Sequence, residues 1–134
     1  MAFIVDASVV VKWVLAEADS AAAIALGQYR LLAPDLLDIE CASVLWKAAR
    51  RGELRPEEAA DRLALIGEAA IERLPNPVLL PGAMRHALRL GHPIYDCLYL
   101  EAAIWTGLPL VTADRRLAQL TVPGCRIRPL DSFP

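Results

Sequence analysis

Apolar and polar positions along this chain follow two periods in turn. Near the amino end, Phe3, Ile4 and Val5 form a short β-favouring run that stops at Asp6, and Ser8 then caps a predicted helix through Val14. Asp19 and Ser20 cap a second predicted helix, rich in Ala, with Ile24 and Leu26. The run from Tyr29 to Ala33 leads through Pro34 into a brief strand and a third helix. Over about residues 36–51, that helix sets Leu37, Cys41, Val44, Leu45 and Ala48 on one side, the spacing of an amphipathic helix. Gly52 ends it.

Pro56 ahead of Glu57 and Glu58 predicts a fourth helix, because Pro forfeits no bond in a first turn and the acids complement the helix dipole there. The pattern carries this helix to about Arg73. Pro75-Asn76-Pro77 breaks the chain, Val78 to Leu80 predicts a second short strand, and Pro81-Gly82 opens a fifth helix through Leu90. Gly91-His92-Pro93 separates it from a sixth helix, Ile94 to Trp105, which Gly107 ends. Leu108 to Thr112 reads as a strand, Asp114 caps a short helix to Leu120, and Cys125 to Ile127 is a last strand. Strands separated by helices, with no Asn-Gly hairpin dipeptide, predict parallel pairing through right-handed crossovers. The expected fold is a three-layer α/β/α sandwich whose central, mostly parallel sheet has four to five short strands, in one domain over residues 1–134.

Composition narrows the partners without choosing among them. Hydrophobic residues make up 56% of the 134 and charged residues 22%, which excludes a disordered segment. With 14 Lys and Arg against 16 Asp and Glu the net charge is −2, so any contact with nucleic acid has to come from local Arg clusters or bound cations. Cys41, Cys97 and Cys125 are odd in number and have no C-x-x-C, which argues against a disulfide framework or a zinc site and for core packing. The apolar run at the amino end has no basic flank, is broken by Lys12 and ends at Glu17, too short for a membrane span, so a cytoplasmic protein is expected.

Four acids stand where the pattern gives them chemical interest. Asp6 and Asp114 follow strands directly, and ligands of open parallel sheets bind beyond strand carboxyl ends. Each also suits a helix cap. Glu40 lies beside Leu37 and Val44 at the edge of a buried stripe, and Asp96 shares a face with Tyr99, Leu100 and Ala103. An internal ion pair would account for the first of these and first-turn capping for the second. If all four meet, they share one explanation: two unit charges ~4 Å apart repel by about 4 kcal/mol at an effective dielectric of ~20, and a cation relieves the repulsion. Oxygen-only sites select hard ions, Mg²⁺ or Mn²⁺. His86 and His92 have no partner at metal-ligand spacing and are expected at the surface or as phosphate contacts.

The sequence resembles the PIN-domain family, in its VapC-type toxins of toxin–antitoxin pairs. The likeness rests on VDASVVVKW, on the internal Glu of DLLDIECASVLWKA, on YDCLYLEAA and on LVTADRRL, in this order over nearly the whole chain. It implies that Asp6, Glu40, Asp96 and Asp114 form the family's acidic quartet, with the hydroxyls of Ser8 and Thr112 lining the site, and that the activity is Mg²⁺- or Mn²⁺-dependent RNA cleavage. It also implies a homodimer and a small VapB-like antitoxin whose tail occupies the acidic cleft. A divalent ion would bridge the acids to a phosphodiester and lower the pKa of a bound water. Asp6, Asp96 and Asp114 are assigned to the metal, and Glu40 to an outer ligand or to orienting the water. Arg115, Arg116, Arg85, Arg89, His86 and Lys12 are the candidate RNA contacts, with ordinary solvated faces as the other reading. Ile39 and Trp46 share a face away from the core stripe, either as a partner surface or covered by the fourth helix. A receiver-like Mg²⁺-binding signalling module would need paired acids after the first strand, where Ala7 follows Asp6. A catalytically silent RNA-binding partner would bind without cutting.

Overall fold

The sheet is built around the first strand. In the computed structural model, which describes residues 1–133, the elements run β1 (Ala2–Val5), α1 (Ala7–Val10), a 3-10 turn (Val11–Trp13), α2 (Ser20–Leu26), β2 (Arg30–Pro34), α3 (Leu36–Arg50) and α4 (Pro56–Glu68). There follow β3 (Ile71–Leu74), α5 (Asn76–Leu90), α6 (Ile94–Thr106), β4 (Leu110–Thr112), α7 (Arg115–Ala118), β5 (Ile127–Pro129) and a closing 3-10 turn (Leu130–Ser132). The strand order is β3-β2-β1-β4-β5, and every neighbouring pair is parallel. Phe3, Ile4 and Val5 are all buried, as an interior strand covered on both faces requires. Helices flank the sheet, giving the three-layer α/β architecture expected from the alternation of elements.

From β1 the chain builds outward to β2 and β3 on one side, then to β4 and β5 on the other. The order therefore reverses between β1 and β4, where the carboxyl ends of the strands open into a crevice. Ile4 stands beside Leu110 and Val5 beside Val111 at this junction, so Asp6 and Thr112 emerge next to each other at its mouth. Helix α6 packs against β1, β2 and β4 with Leu98, Tyr99, Leu100, Ala102 and Ala103 buried, and carries Asp96 in its first turn.

Four local expectations change. The helix expected from Ser8 to Val14 is a four-residue α1 followed by the 3-10 turn, since the stiff β-branched Val9, Val10 and Val11 favour a long regular helix less than their burial favours this tight turn. The fourth helix stops at Glu68, and Ile71–Leu74 is edge strand β3. Buried Ile71 and Leu74 are three apart and prolong a helical pattern; only pairing with β2 makes them a strand. Arg73 reinforces that ending: it donates to the carbonyls of Ile66 at 2.9 Å and Ile71 at 2.5 Å and reaches Asp38 of α3 at 2.9 and 3.1 Å. Orphan carbonyls at the end of α4 are thereby satisfied. The strand expected at Val78 to Leu80 lies inside α5, where Pro77 takes a first-turn position that costs no bond and buried Leu79 faces the core, while Pro81 stands inside the helix on its exposed side. Finally, β5 begins two residues later than the pattern suggests, at Ile127.

Cys41 and Cys97 are buried, and burial pushes their thiols up to about 12 and about 11, so they serve as small core hydrophobes. Among the described residues no helix is long and apolar enough to cross a membrane.

Candidate active site

At the mouth of the crevice Asp6 adopts extended backbone, which turns its carboxylate toward β4 as the chain enters α1. Ser8 Oγ donates to Oδ1 and Thr112 Oγ1 to Oδ2, each at 2.5 Å. The two hydroxyls accept in turn from the backbone, Ser8 from Ala113 N–H at 2.9 Å and Thr112 from Asp114 N–H at 3.0 Å. Both hydroxyls thus orient an acid and stitch the β1–α1 junction to the β4–α7 junction. Asp6 is only 5% exposed, and burial lifts its carboxyl from 3.8 to about 6, against the pull of the two hydroxyls and with a further push from the charge of Asp96.

Glu40 projects from α3 and accepts the Tyr99 hydroxyl of α6 at 2.7 Å. Burial raises its carboxyl too; the Tyr99 bond opposes this and the charge of Asp96 adds to it. Tyr99 is fully buried, and its phenol is held far above its ordinary value by burial first and then by the Glu40 charge, so it stays a neutral donor. Asp96 is half-buried at the start of α6, with Oδ2 at 2.6 Å from His92 Nε2. Its field reaches both Asp6 and Glu40, which brings these three acids into one electrostatic neighbourhood.

Asp114 is the outlier. It caps α7 by accepting Arg116 N–H at 2.8 Å and Leu117 N–H at 3.2 Å, both on Oδ1, and joins the others through Thr112. Beside it the crevice continues into a pocket of about 100 Å³ lined by Thr112, Asp114, Arg115, Leu130 and two acids from elsewhere, Asp19 and Asp131. Among the described residues no three His, Cys, Asp or Glu side chains stand close enough to enclose an ion as they are. Still, Asp6, Glu40 and Asp114 have no Lys or Arg within salt-bridge distance among the described residues. Carboxylates without a cationic partner, two of them raised by burial, are hard oxygen donors, the chemistry that a small divalent cation takes.

Other candidates fall into two groups. Arg85, Arg89, Arg115 and Arg116 are exposed. Lys12 does not fit the expected role of an RNA contact: it is 9% exposed and bonded to Glu17 and Asp19, each at 2.9 Å, so its charge is already spent inside the protein. Nor are the histidines at the surface. His86 lies between α5 and α6, 2.9 Å from Glu101, and His92 holds Asp96. Both pairings, and that of Tyr99 with Glu40, were missed from the sequence. Ile39 and Trp46 remain 65% and 59% exposed, so α4 does not cover them.

Comparison with known proteins gives one consistent pattern. A PIN domain family model matches residues 3–122. Ribonuclease VapC3 of Pyrobaculum aerophilum is 37% identical over 123 residues, spanning 89% of this chain and 94% of its own. The crystal structure of PAE2754 from Pyrobaculum aerophilum superposes with a TM-score of 0.77 at 28% identity, covering 98% of this chain and 91% of that one. VapBC-5 from Mycobacterium tuberculosis, described as a member of the VapBC family of toxin-antitoxin systems, shares the fold at a TM-score of 0.58 and 23% identity, covering 94% and 96%.

Proposed function

The chain belongs to the PIN domain family, and from that premise we propose that it is a Mg²⁺-dependent endoribonuclease, the toxin of a toxin–antitoxin pair, acting as one nuclease domain over residues 1–134. One observation carries this reading: Asp6, Glu40 and Asp96, distant along the chain, feel one another's charge at the strand-order reversal, with no Lys or Arg within salt-bridge distance among the described residues. The name of the Pyrobaculum relative, Ribonuclease VapC3, supports RNA as the substrate.

Asp6, Asp96 and Asp114 would hold the ion, Mg²⁺ or Mn²⁺, with Glu40 as an outer ligand or the group that orients the attacking water. When bound, the ion offsets the charge of the phosphodiester and makes a water more acidic. The chain's own residues do the rest. Ser8 and Thr112 lock the Asp6 carboxylate so that its oxygens cannot swing away from the crevice. Tyr99 holds one Glu40 oxygen and leaves the other to accept a proton from water. Exposed Arg115 and Arg116 beside Asp114, and Arg85 and Arg89 on α5, would meet the phosphates of the flanking strand.

An antitoxin of the VapB kind is the proposed protein partner, and the assignment of the Mycobacterium neighbour to a toxin–antitoxin family supports it. Its contact surface would include exposed Ile39 and Trp46 of α3, and its tail would enter the acidic cleft with an Arg taking the place of the ion's charge. A homodimer would use the apolar side of α5, where Val78, Met84 and Leu88 are at least half exposed. The test is incubation of purified protein with total RNA in Mg²⁺ and in chelator, followed by mapping of new ends. Cleavage in Mg²⁺ that is absent in chelator and in Asp96→Asn is expected. RNA binding without cleavage would identify a silent partner instead.

A further inference from the structure

Three of the four acids owe their orientation to donors already described: Asp6 to two hydroxyls, Glu40 to Tyr99, and Asp114 to two backbone N–H groups. The fourth, Asp96, sits in the first turn of α6 with its side chain 28% exposed, where a free carboxylate would sample several rotamers. We propose that His92 is the positioning residue for Asp96, donating from Nε2 to Oδ2 and so aiming the other carboxylate oxygen at the divalent ion. This rests on the reading of Asp96 as a metal ligand.

The loop that carries His92 is fixed on both sides. Gly91 ends α5 in the left-handed region at φ 62°, which reverses the chain at no steric cost. The His92 N–H then donates to Ala87 O at 3.2 Å, and its carbonyl accepts the Cys97 thiol at 3.9 Å. Pro93 next fixes the approach to α6. The imidazole is 9% exposed, so its orientation is set by packing as well as by the 2.6 Å bond. An ionised carboxylate can only accept, which makes Nε2 the donor. Partners of this kind behind a ligating group typically change metal affinity by about 10–100-fold.

The rival explanation is a structural one, in which the bond only staples the loop to α6. Mn²⁺ titration of the full chain separates the two, followed by paramagnetic resonance of the free ion, with melting of the metal-free protein alongside. His92→Phe keeps the bulk without a donor, and His92→Gln keeps an amide donor of similar reach. His92→Phe should weaken Mn²⁺ binding about 10–100-fold, and His92→Gln should restore it to within about threefold of wild type. The metal-free melting points of the two variants should agree. Should His92→Phe fold poorly, His92→Asn, whose amide is too short to reach, is expected to show the same loss of affinity. Unchanged affinity in His92→Phe, or equal losses of affinity and melting point in Phe and Gln variants, would overturn the proposal while leaving Asp96 a ligand, as long as Asp96→Asn still abolishes binding. Wild-type affinity in Asp96→Asn, or no binding by wild type, would overturn both this proposal and the reading beneath it.

Discussion

Asp6→Asn separates the cost of a buried charge from the worth of its hydrogen bonds. Burial, with a lesser push from Asp96, lifts the Asp6 carboxyl from 3.8 to about 6 even though Ser8 and Thr112 donate to it. The folded metal-free protein therefore holds this proton more tightly than the unfolded chain does. Stability contributed by Asp6 is fully present below about pH 3.8 and is lost as pH rises toward about 6, above which it stays flat. At ~1.4 kcal/mol per tenfold the cost of ionised Asp6 at neutral pH is about 3 kcal/mol. Asn stays neutral throughout, but its single carbonyl oxygen cannot accept from both hydroxyls, a loss of about 1 kcal/mol. Urea unfolding in chelator should thus find Asp6→Asn less stable than wild type by about 1 kcal/mol near pH 4 and more stable by about 2 kcal/mol above pH 6.5. A difference that does not change with pH, or an Asn variant less stable at pH 7.5, would show that ionised Asp6 carries no burial cost.

Other perturbations probe the supports of the site. Tyr99→Phe removes the donor to the half-buried Glu40 carboxylate, which should cost about 1 kcal/mol in equilibrium unfolding and lower kcat more than it raises KM. Gly82→Ala would drive a Cβ into the Glu101 carboxylate, which bonds His86; the expected loss of about 1 kcal/mol should become a gain of similar size in a Glu101→Ala background, where only helix propensity remains. Arg73→Met strips the bonds to the Ile66 and Ile71 carbonyls and to Asp38, and should destabilise by about 2 kcal/mol without changing the affinity for Mn²⁺.

Much of the fold was legible in the chain because local signals and burial agree there. The stripe of Leu37, Cys41, Leu45 and Ala48 buries as the spacing requires, and Asp114 caps α7 with its side chain as a residue before a short helix should. Illegible parts were those in which a distant neighbour decides. Ile71–Leu74 is a strand only because β2 lies beside it, and Val78 to Leu80 is helical because Leu79 and Ala83 bury together on the side of α5 that packs on α6, despite Pro81 inside the helix. The acids themselves were recognisable by position, yet their orienting partners were not. Tyr99 meets Glu40 across 59 residues and Thr112 meets Asp6 across 106, and no periodicity reports such pairings. Lys12 misled for the same reason, since its partners Glu17 and Asp19 fold back over it in an irregular loop.

If Asp6, Glu40, Asp96 and Asp114 form one cation-binding site, Mg²⁺ must stabilise the fold through them. Thermal and urea unfolding with and without Mg²⁺, on wild type and on Asp6→Asn and Asp96→Asn, measures that linkage. At ~100 times its dissociation constant Mg²⁺ should stabilise wild type by about 2.7 kcal/mol and each variant by much less. An equal response to Mg²⁺ in all three proteins would contradict it.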